Sequence, residues 1–323
     1  MESESPPCYS QVVTNPEDLA EAIRSAEFEP CLLRRSPAPS WIARVNCPQV
    51  CLDFARLGSP FLFTGVMPKH CYTMVFVIDC PRKGNSFNFK TEHHDGYLGF
   101  FPPGWELDAY TPEGYSNATL TVPTALFHAA VETSFPEIPE QFLQRGAILR
   151  IGKAEQASLR ALLSAVVKAI EESDSSLAGL AVRRGLERHL LNEFLQVLQA
   201  GAGVDAPSIT SRTAGAAMHL RQARDFIQEN SRGELQLDEL SALLGMSRRG
   251  VELMFRKSLG IGPGEFIRQQ RLHGVRRELL AARPQSGIIK ELALEWGFWH
   301  MGHFSRNYRT LFGEMPTSTL GRS

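Results

Sequence analysis

No apolar run in this 323-residue chain reaches the ~20 residues that a membrane-spanning helix requires. The start, Met1-Glu-Ser-Glu-Ser-Pro-Pro, is acidic and polar, unlike a signal peptide. The expectation is a cytoplasmic protein with no membrane partner. Cysteine is sparse and confined to positions 8, 31, 47, 51, 71 and 80, with no Cys-x-x-Cys pair. Cys47 and Cys51, with three residues between them, could form one edge of a metal site, but buried free thiols are the plainer reading. The chain also lacks a phosphate-cradling glycine loop and a Gly-x-Ser-x-Gly elbow. No catalytic constellation is found, and the chain reads as something other than an enzyme.

What is present divides in two. Apolar content of 43% and charged content of 21% are those of a globular protein, and the length suffices for two cores. Net charge is −1, yet residues 215–323 hold 16 Lys and Arg against 11 Asp and Glu. The remainder holds 18 basic and 24 acidic residues. A basic C-terminal region beside an acidic one fits a nucleic-acid-binding domain joined to a domain that avoids nucleic acid.

Within the basic region a single device occurs twice. Leu240 to Phe255 and Leu292 to Tyr308 each give a short apolar helix, a glycine (Gly245, Gly297) and a second helix. Each copy closes on Gly-x-x-Pro, at Gly260–Pro263 and Gly313–Pro316. The glycines sit where a tight turn needs positive φ, and Ser247 reads as an N-cap. Val251 and Phe255, and then Phe304, Tyr308 and Leu311, recur at helical spacing and face inward. Ser247, Arg248, Arg249, Glu252 and Arg256 then face outward in the first copy. His300, Met301, Gly302, Ser305, Arg306 and Arg309 do so in the second. Arginine pairs two-pronged with guanine and glutamate accepts from cytosine, so these faces suit a DNA major groove. A connecting helix over about 264–282 spans roughly 28 Å. Successive major grooves lie ~34 Å apart, so the two copies read as a double helix-turn-helix on adjacent grooves of double-stranded DNA.

From about Ala216 to Leu320 the chain resembles the DNA-binding domain of the AraC/XylS family of transcription regulators. Leu259–Pro263, Val275-Arg-Arg-Glu-Leu279 and Trp296-Gly-Phe-Trp-His300 resemble the branch that includes the ethanolamine-operon activator. Pro103–Glu106 and Thr111–Tyr115 extend that likeness more weakly. Trp299-His300-Met301 departs from the small polar residues of many members. The resemblance implies an effector-responsive activator that acts with RNA polymerase, a small amine or amino alcohol as effector, and a corrin co-effector. No residue pattern itself calls for a cofactor.

The N-terminal region reads differently. Asn15-Pro16-Glu17-Asp18 opens a short helix after a loose stretch over 1–14. From 28 to 124, short extended runs such as 50–57, 72–78, 86–90, 97–101 and 119–122 alternate with Pro and Gly, which points to a β-barrel or sandwich. Gly96 to Gly104 resembles the second motif of cupin barrels, with Leu107 where cupin enzymes place a metal-binding histidine. His93-His94 cannot share one metal from a strand, and His70 stands alone. The expectation is an α+β chain: a cupin-like β-barrel or sandwich with a helical hairpin over 155–200, a linker over 201–215, and an all-α double helix-turn-helix domain over 216–323. The hairpin either covers the barrel or forms a homodimer interface. An amine effector needs a carboxylate and aromatic faces, for which Tyr97, Trp105, Glu106, Asp108 and Tyr110 are candidates. The competing functions are a cupin-type metal enzyme with a DNA-binding tail and a constitutive dimeric DNA binder.

Overall fold

The computed structural model describes residues 6–23, 27–81, 86–88, 91–93, 95–202, 211–233 and 235–322. Two compact units emerge. Residues 1–30, 38–58 and 63–209 form the first, and 31–37, 59–62 and 210–323 the second.

From Cys8 to Ala202 the order is β1 (Cys8–Val13), α1 (Pro16–Ala22), β2 (Glu27–Leu32), β3 (Ser40–Asn46), β4 (Cys51–Arg56), β5 (Phe61–Val66), β6 (Cys71–Asp79), β7 (Ser86–Asn88), β8 (Thr91–His93), β9 (Tyr97–Phe101), β10 (Glu106–Thr111), β11 (Ser116–Pro123), α2 (Thr124–Ser134), α3 (Glu140–Leu143), β12 (Ala147–Arg150), α4 (Lys153–Glu171) and α5 (Leu180–Ala202). One sheet runs β1-β3-β4-β11-β6-β9-β12 and the other β2-β5-β10-β7-β8. Both are open, each with two unpaired edges among the described residues, which overturns the expected cupin-like barrel. The corners explain why. Pro102-Pro103 ends β9 and the Trp105 amide bonds back to the Pro102 carbonyl at 3.2 Å, after which β10 joins the other sheet. Pro112 to Tyr115 makes the return corner into β11, with the Tyr115 amide 3.2 Å from the Pro112 carbonyl. Prolines without N–H groups stop pairing at these corners, so the chain steps between sheets instead of continuing one wall.

The seven-stranded sheet has two differently employed faces, because alternate side chains on a strand point oppositely. Tyr72, Met74 and Phe76 of β6, with Leu120 of β11 and Phe100 of β9, join Leu159, Leu163 and Phe194 of α4 and α5 in one buried core. Thr73, Val75 and Val77 of β6, with Asn117 and Thr119 of β11, line a cavity that Leu107 and Ala109 of β10 close from the other sheet. The apolar stripes of α4 and α5 therefore cover this sheet: Leu159 and Val166 are buried. The stretch over 1–14, expected to be loose, contains β1, paired antiparallel to β3 from Cys8↔Val45 to Val13↔Ser40.

The second unit is all helical beyond residue 210: α6 (Ser211–Glu229), α7 (Leu237–Leu244), α8 (Arg248–Leu259), α9 (Pro263–Ala281), α10 (Ile288–Glu295), α11 (Met301–Phe312) and α12 (Pro316–Leu320). Since α5 reaches Ala202 and α6 opens at Ser211, only 203–210 of the expected linker lie between them, outside the described residues. The division into a mixed α+β region and an all-α helix-turn-helix region matches the expectation.

Candidate functional site

The first copy forms as its residues dictate. α7 ends where Gly245 takes φ 61°, and the Met246 amide bonds the Ser241 carbonyl at 3.0 Å. That left-handed turn is open to glycine at no steric cost. Ser247 Oγ then accepts the Gly250 amide at 3.1 Å and caps α8. The sequence places the start of this first helix at Glu234, which lies outside the described residues. α8 buries Val251, Met254, Phe255 and Leu259, with the Phe255 ring 5.5 Å from that of Phe266 of α9. The buried stripe turns the opposite face outward.

On that face the charges are not equivalent. Arg248 makes a two-pronged ion pair with Asp238 of α7. Arg256 Nε reaches Glu252 Oε1 at 2.7 Å. Arg249 is exposed and has no ion-pair partner among the described residues. Hydrogen bonds from Arg248 hold the Asp238 carboxyl below its ordinary value. Ion pairs on an exposed face are weakly held, so a phosphate anion can displace either carboxylate from its arginine.

The second copy repeats the plan. Gly297 takes φ 80° after Trp296, and α11 buries Phe304, Tyr308, Leu311 and Phe312. His300, Gly302, Arg306 and Arg309 are exposed, while Met301 and Ser305 are half-buried. Trp299, 70% exposed, and His303, its ring 6.1 Å from that of His300, extend this end of the face. Neither is singled out from the sequence as facing DNA. Trp299 is visible there only as a departure from small polar residues, and His303 lies between Gly302 and Ser305, which are singled out.

α9 joins the copies and explains two sequence features. At Gly274 a Cβ would stand 2.2 Å from the Trp296 ring, so the indole of the second copy lies directly on the connector's backbone. Arg276 has no exposed surface. Its Nη1 lies 2.7 Å from Glu314 Oε1, 3.3 Å from Thr319 Oγ1 and 3.4 Å from Tyr308 Oη, and its guanidinium stacks on Phe312 at 4.6 Å. This network locks α9, α11 and α12 together. At ~1.5 Å per residue, the 19 residues of α9 span about 28 Å.

The effector candidates separate. Tyr97 and Tyr110 line the cavity of the first unit. Glu106 is exposed and Asp108 half-buried, neither of them on the cavity wall. The Trp105 ring packs against Gly146, where a Cβ would meet it at 2.7 Å. On β10 the cavity is lined by Leu107 and Ala109, and by Tyr110 and Thr111 at the strand's end. Leu107, in the cupin-histidine place, is a buried wall residue. His70 is exposed, and His94 lies outside the described residues. No cluster of three metal-ligating side chains occurs among the described residues. Cys51 Sγ donates to Asn46 Oδ1 at 3.5 Å. Burial, then the charges of Glu187 and Cys51, push the Cys47 thiol up to about 12, against the pull of Arg183. Neither is set up as a ligand.

Two helix-turn-helix copies on a rigid connector, each with a polar helix face turned out, define a DNA-binding domain. Residues 240–322 match the family model described as a helix-turn-helix domain. XylDLEGF operon transcriptional activator 1 of Pseudomonas putida is 38% identical over 97 residues, which is 30% of this chain and 29% of that protein. Regulatory protein HrpB of Ralstonia nicotianae is 30% identical over 138 residues, 42% of this chain and 29% of that protein. A solved structure, a probable AraC family transcriptional regulator from Rhodopseudomonas palustris, is 36% identical and covers 32% of this chain and 96% of its own, with a TM-score of 0.31. The chain thus spans less than a third of the length of these two curated relatives. The C-terminal region therefore carries a helix-turn-helix domain similar to those of these transcription regulators. No helix among the described residues is long and apolar enough to cross a membrane.

Proposed function

We propose that the chain is an effector-responsive transcription activator that binds double-stranded DNA as a homodimer and engages RNA polymerase. Ser247, Arg248, Arg249, Glu252 and Arg256 contact DNA from α8. His300, Met301, Gly302, Ser305, Arg306 and Arg309 contact it from α11. The observation that carries this reading is the pairing, in one chain, of a double helix-turn-helix with a separate unit that holds an internal cavity. Ligand binding shifts a population of states only through differential contact with them, and a cavity among packed strands offers that contact. Activation follows the relatives in Pseudomonas putida, which are named transcriptional activators.

The matched residues lie in the C-terminal region and do not distinguish the ethanolamine branch. At the cavity, Asp53 is already paired with Arg44, at 2.6 and 2.9 Å, which leaves no free carboxylate on the wall for an ammonium or amino alcohol. A corrin likewise has no support in a cavity of about 110 Å³.

The test uses the full chain and DNA selected by it from a random pool. Affinity for that DNA is measured with and without a panel of small organic molecules. A member that changes affinity at least about fivefold, the lower end of typical allosteric coupling, supports the effector-responsive reading. If none does, a constitutive DNA binder is the correct description. If no sequence is enriched, the DNA-reading assignment fails.

A further inference from the structure

The wall of the first unit's cavity is chemically lopsided. Phe63, Val75, Val77, Phe101, Leu107 and Ala109 supply most of it, from strands of both sheets. Among the described residues, no lysine, arginine or histidine lines it. Its carboxylate, Asp53, is held two-pronged by Arg44, and both side chains are buried. A ligand cation entering here meets an acid already neutralised, with the Arg44 charge behind it. A ligand anion meets Asp53 and, among the described residues, no cation. Either charge would lose its hydration without a partner, a cost that excludes it.

One polar group on this wall stands out. Thr73 is 2% exposed, and its Oγ1 has no hydrogen-bond partner among the described residues. Neighbouring Asn117 and Thr119 are engaged with each other at 3.0 Å. Buried hydroxyls are nearly always satisfied, so an orphan on a cavity wall marks the place where a guest's polar atom belongs. The space, about 110 Å³, sets the size of the guest. An engineered apolar cavity of ~150 Å³ holds benzene.

We infer that the cavity takes an uncharged, largely apolar molecule the size of one aromatic ring, with a single hydroxyl or carbonyl that bonds Thr73. This rests on the effector-responsive reading and names the chemical class of its effector. Specificity then arises from two sources. The apolar walls select a neutral ring, and the Thr73 hydroxyl selects a ring with one polar substituent.

Four probes of one shape family separate the elements of this inference: benzene, phenol, benzoate and benzylammonium, each with the full chain at neutral pH, read by thermal unfolding. Benzene and phenol raise the melting temperature, phenol by more, toward about 5–10 °C at roughly a hundred times its dissociation constant. Benzoate and benzylammonium leave it unmoved. Thr73→Val keeps the benzene shift and erases phenol's margin over it. That variant melts no lower than wild type without probe, since it removes an unpartnered buried hydroxyl. Ala109→Leu fills the space and abolishes both shifts in a folded protein, as shown by an unchanged circular dichroism spectrum.

A larger shift with benzoate or benzylammonium overturns the chemical class while leaving effector binding in place. Equal shifts with benzene and phenol overturn the role of Thr73. No shift with any of the four overturns the inference. The effector reading then stands or falls separately, on the change in DNA affinity with the wider panel.

Discussion

Arg276 carries a full charge and no exposed surface, so its partners decide the stability of the helices it joins. Breaking a buried ion pair from one side costs ~3–5 kcal/mol, because the remaining charge is stranded. Glu314→Gln should therefore lower the stability of the second unit by about that order, as read by urea unfolding. The same pair sets an acid limb. Burial pushes the Glu314 carboxyl up, but hydrogen bonds from Arg276 and Thr319 and the charges of Arg276 and Arg322 outweigh it and hold it below its ordinary value. A depressed carboxyl stabilises fully above the unfolded-state value, ~4.3, and that contribution is lost as pH falls through the lower folded-state value. Wild type should lose stability below about pH 4.5 more steeply than Glu314→Gln, and equal slopes would remove Glu314 from the account. None of this was legible in the sequence. There Arg276 is one of two adjacent arginines in a connector, and its partner Tyr308 lies 32 positions away.

Among the elements, α8 and α11 were the most readable, because Val251 with Phe255 and Phe304 with Tyr308 fix a buried stripe at helical spacing. What the spacing could not give is which outward arginines are already engaged. Arg249 has no ion-pair partner among the described residues, whereas Arg248 and Arg256 are paired within the unit. A two-pronged arginine–guanine contact discriminates by ~1–3 kcal/mol, so Arg249→Ala should weaken binding to selected DNA roughly ten- to a hundredfold and relax preference at one or two base pairs. Arg306→Ala should weaken all sequences alike and lower the salt slope by about one unit, the mark of a lost phosphate contact. Competition with scrambled DNA at several salt concentrations checks both. If Arg249→Ala binds as tightly and selectively as wild type, the face is assigned wrongly. The helical hairpin teaches the opposite lesson. Its stripes were readable, but an apolar stripe looks the same whether it meets a sheet or a second subunit. Leu159 and Val166 meet the sheet. Leu159→Glu should therefore unfold the first unit, seen as loss of its melting transition, and not release folded monomers. Sedimentation of the wild-type chain is the direct measure of self-association.

At the scale of the whole molecule, charge is divided along the chain while the total stays near zero. Binding carried by the basic region should fall linearly in log affinity against log salt, with a slope near about −0.9 per phosphate neutralised. Removing basic residues from the first unit should leave that slope unchanged; a slope that moves would mean the first unit also touches the backbone of the DNA. The rough positions of many strands were legible from Pro and Gly punctuation, but closure was not. Whether corners at Pro102-Pro103 and Pro112 carry a strand around a barrel or across to a second sheet depends on pairing between residues far apart in sequence. β1 and the four-residue β12 were equally hidden, since their pairing partners, and not their own composition, make them strands.

The seven-stranded sheet is a partition one layer of backbone thick. Along β6, neighbouring positions answer to different masters: 72, 74 and 76 to the helices, 73, 75 and 77 to the hollow between the sheets. Substitutions walked residue by residue along this strand should give a record that oscillates, loss of fold at one step and altered response to small molecules at the next. If a guest occupies the hollow, its chemistry can be retuned by changing every second residue of this strand without disturbing the packing behind it.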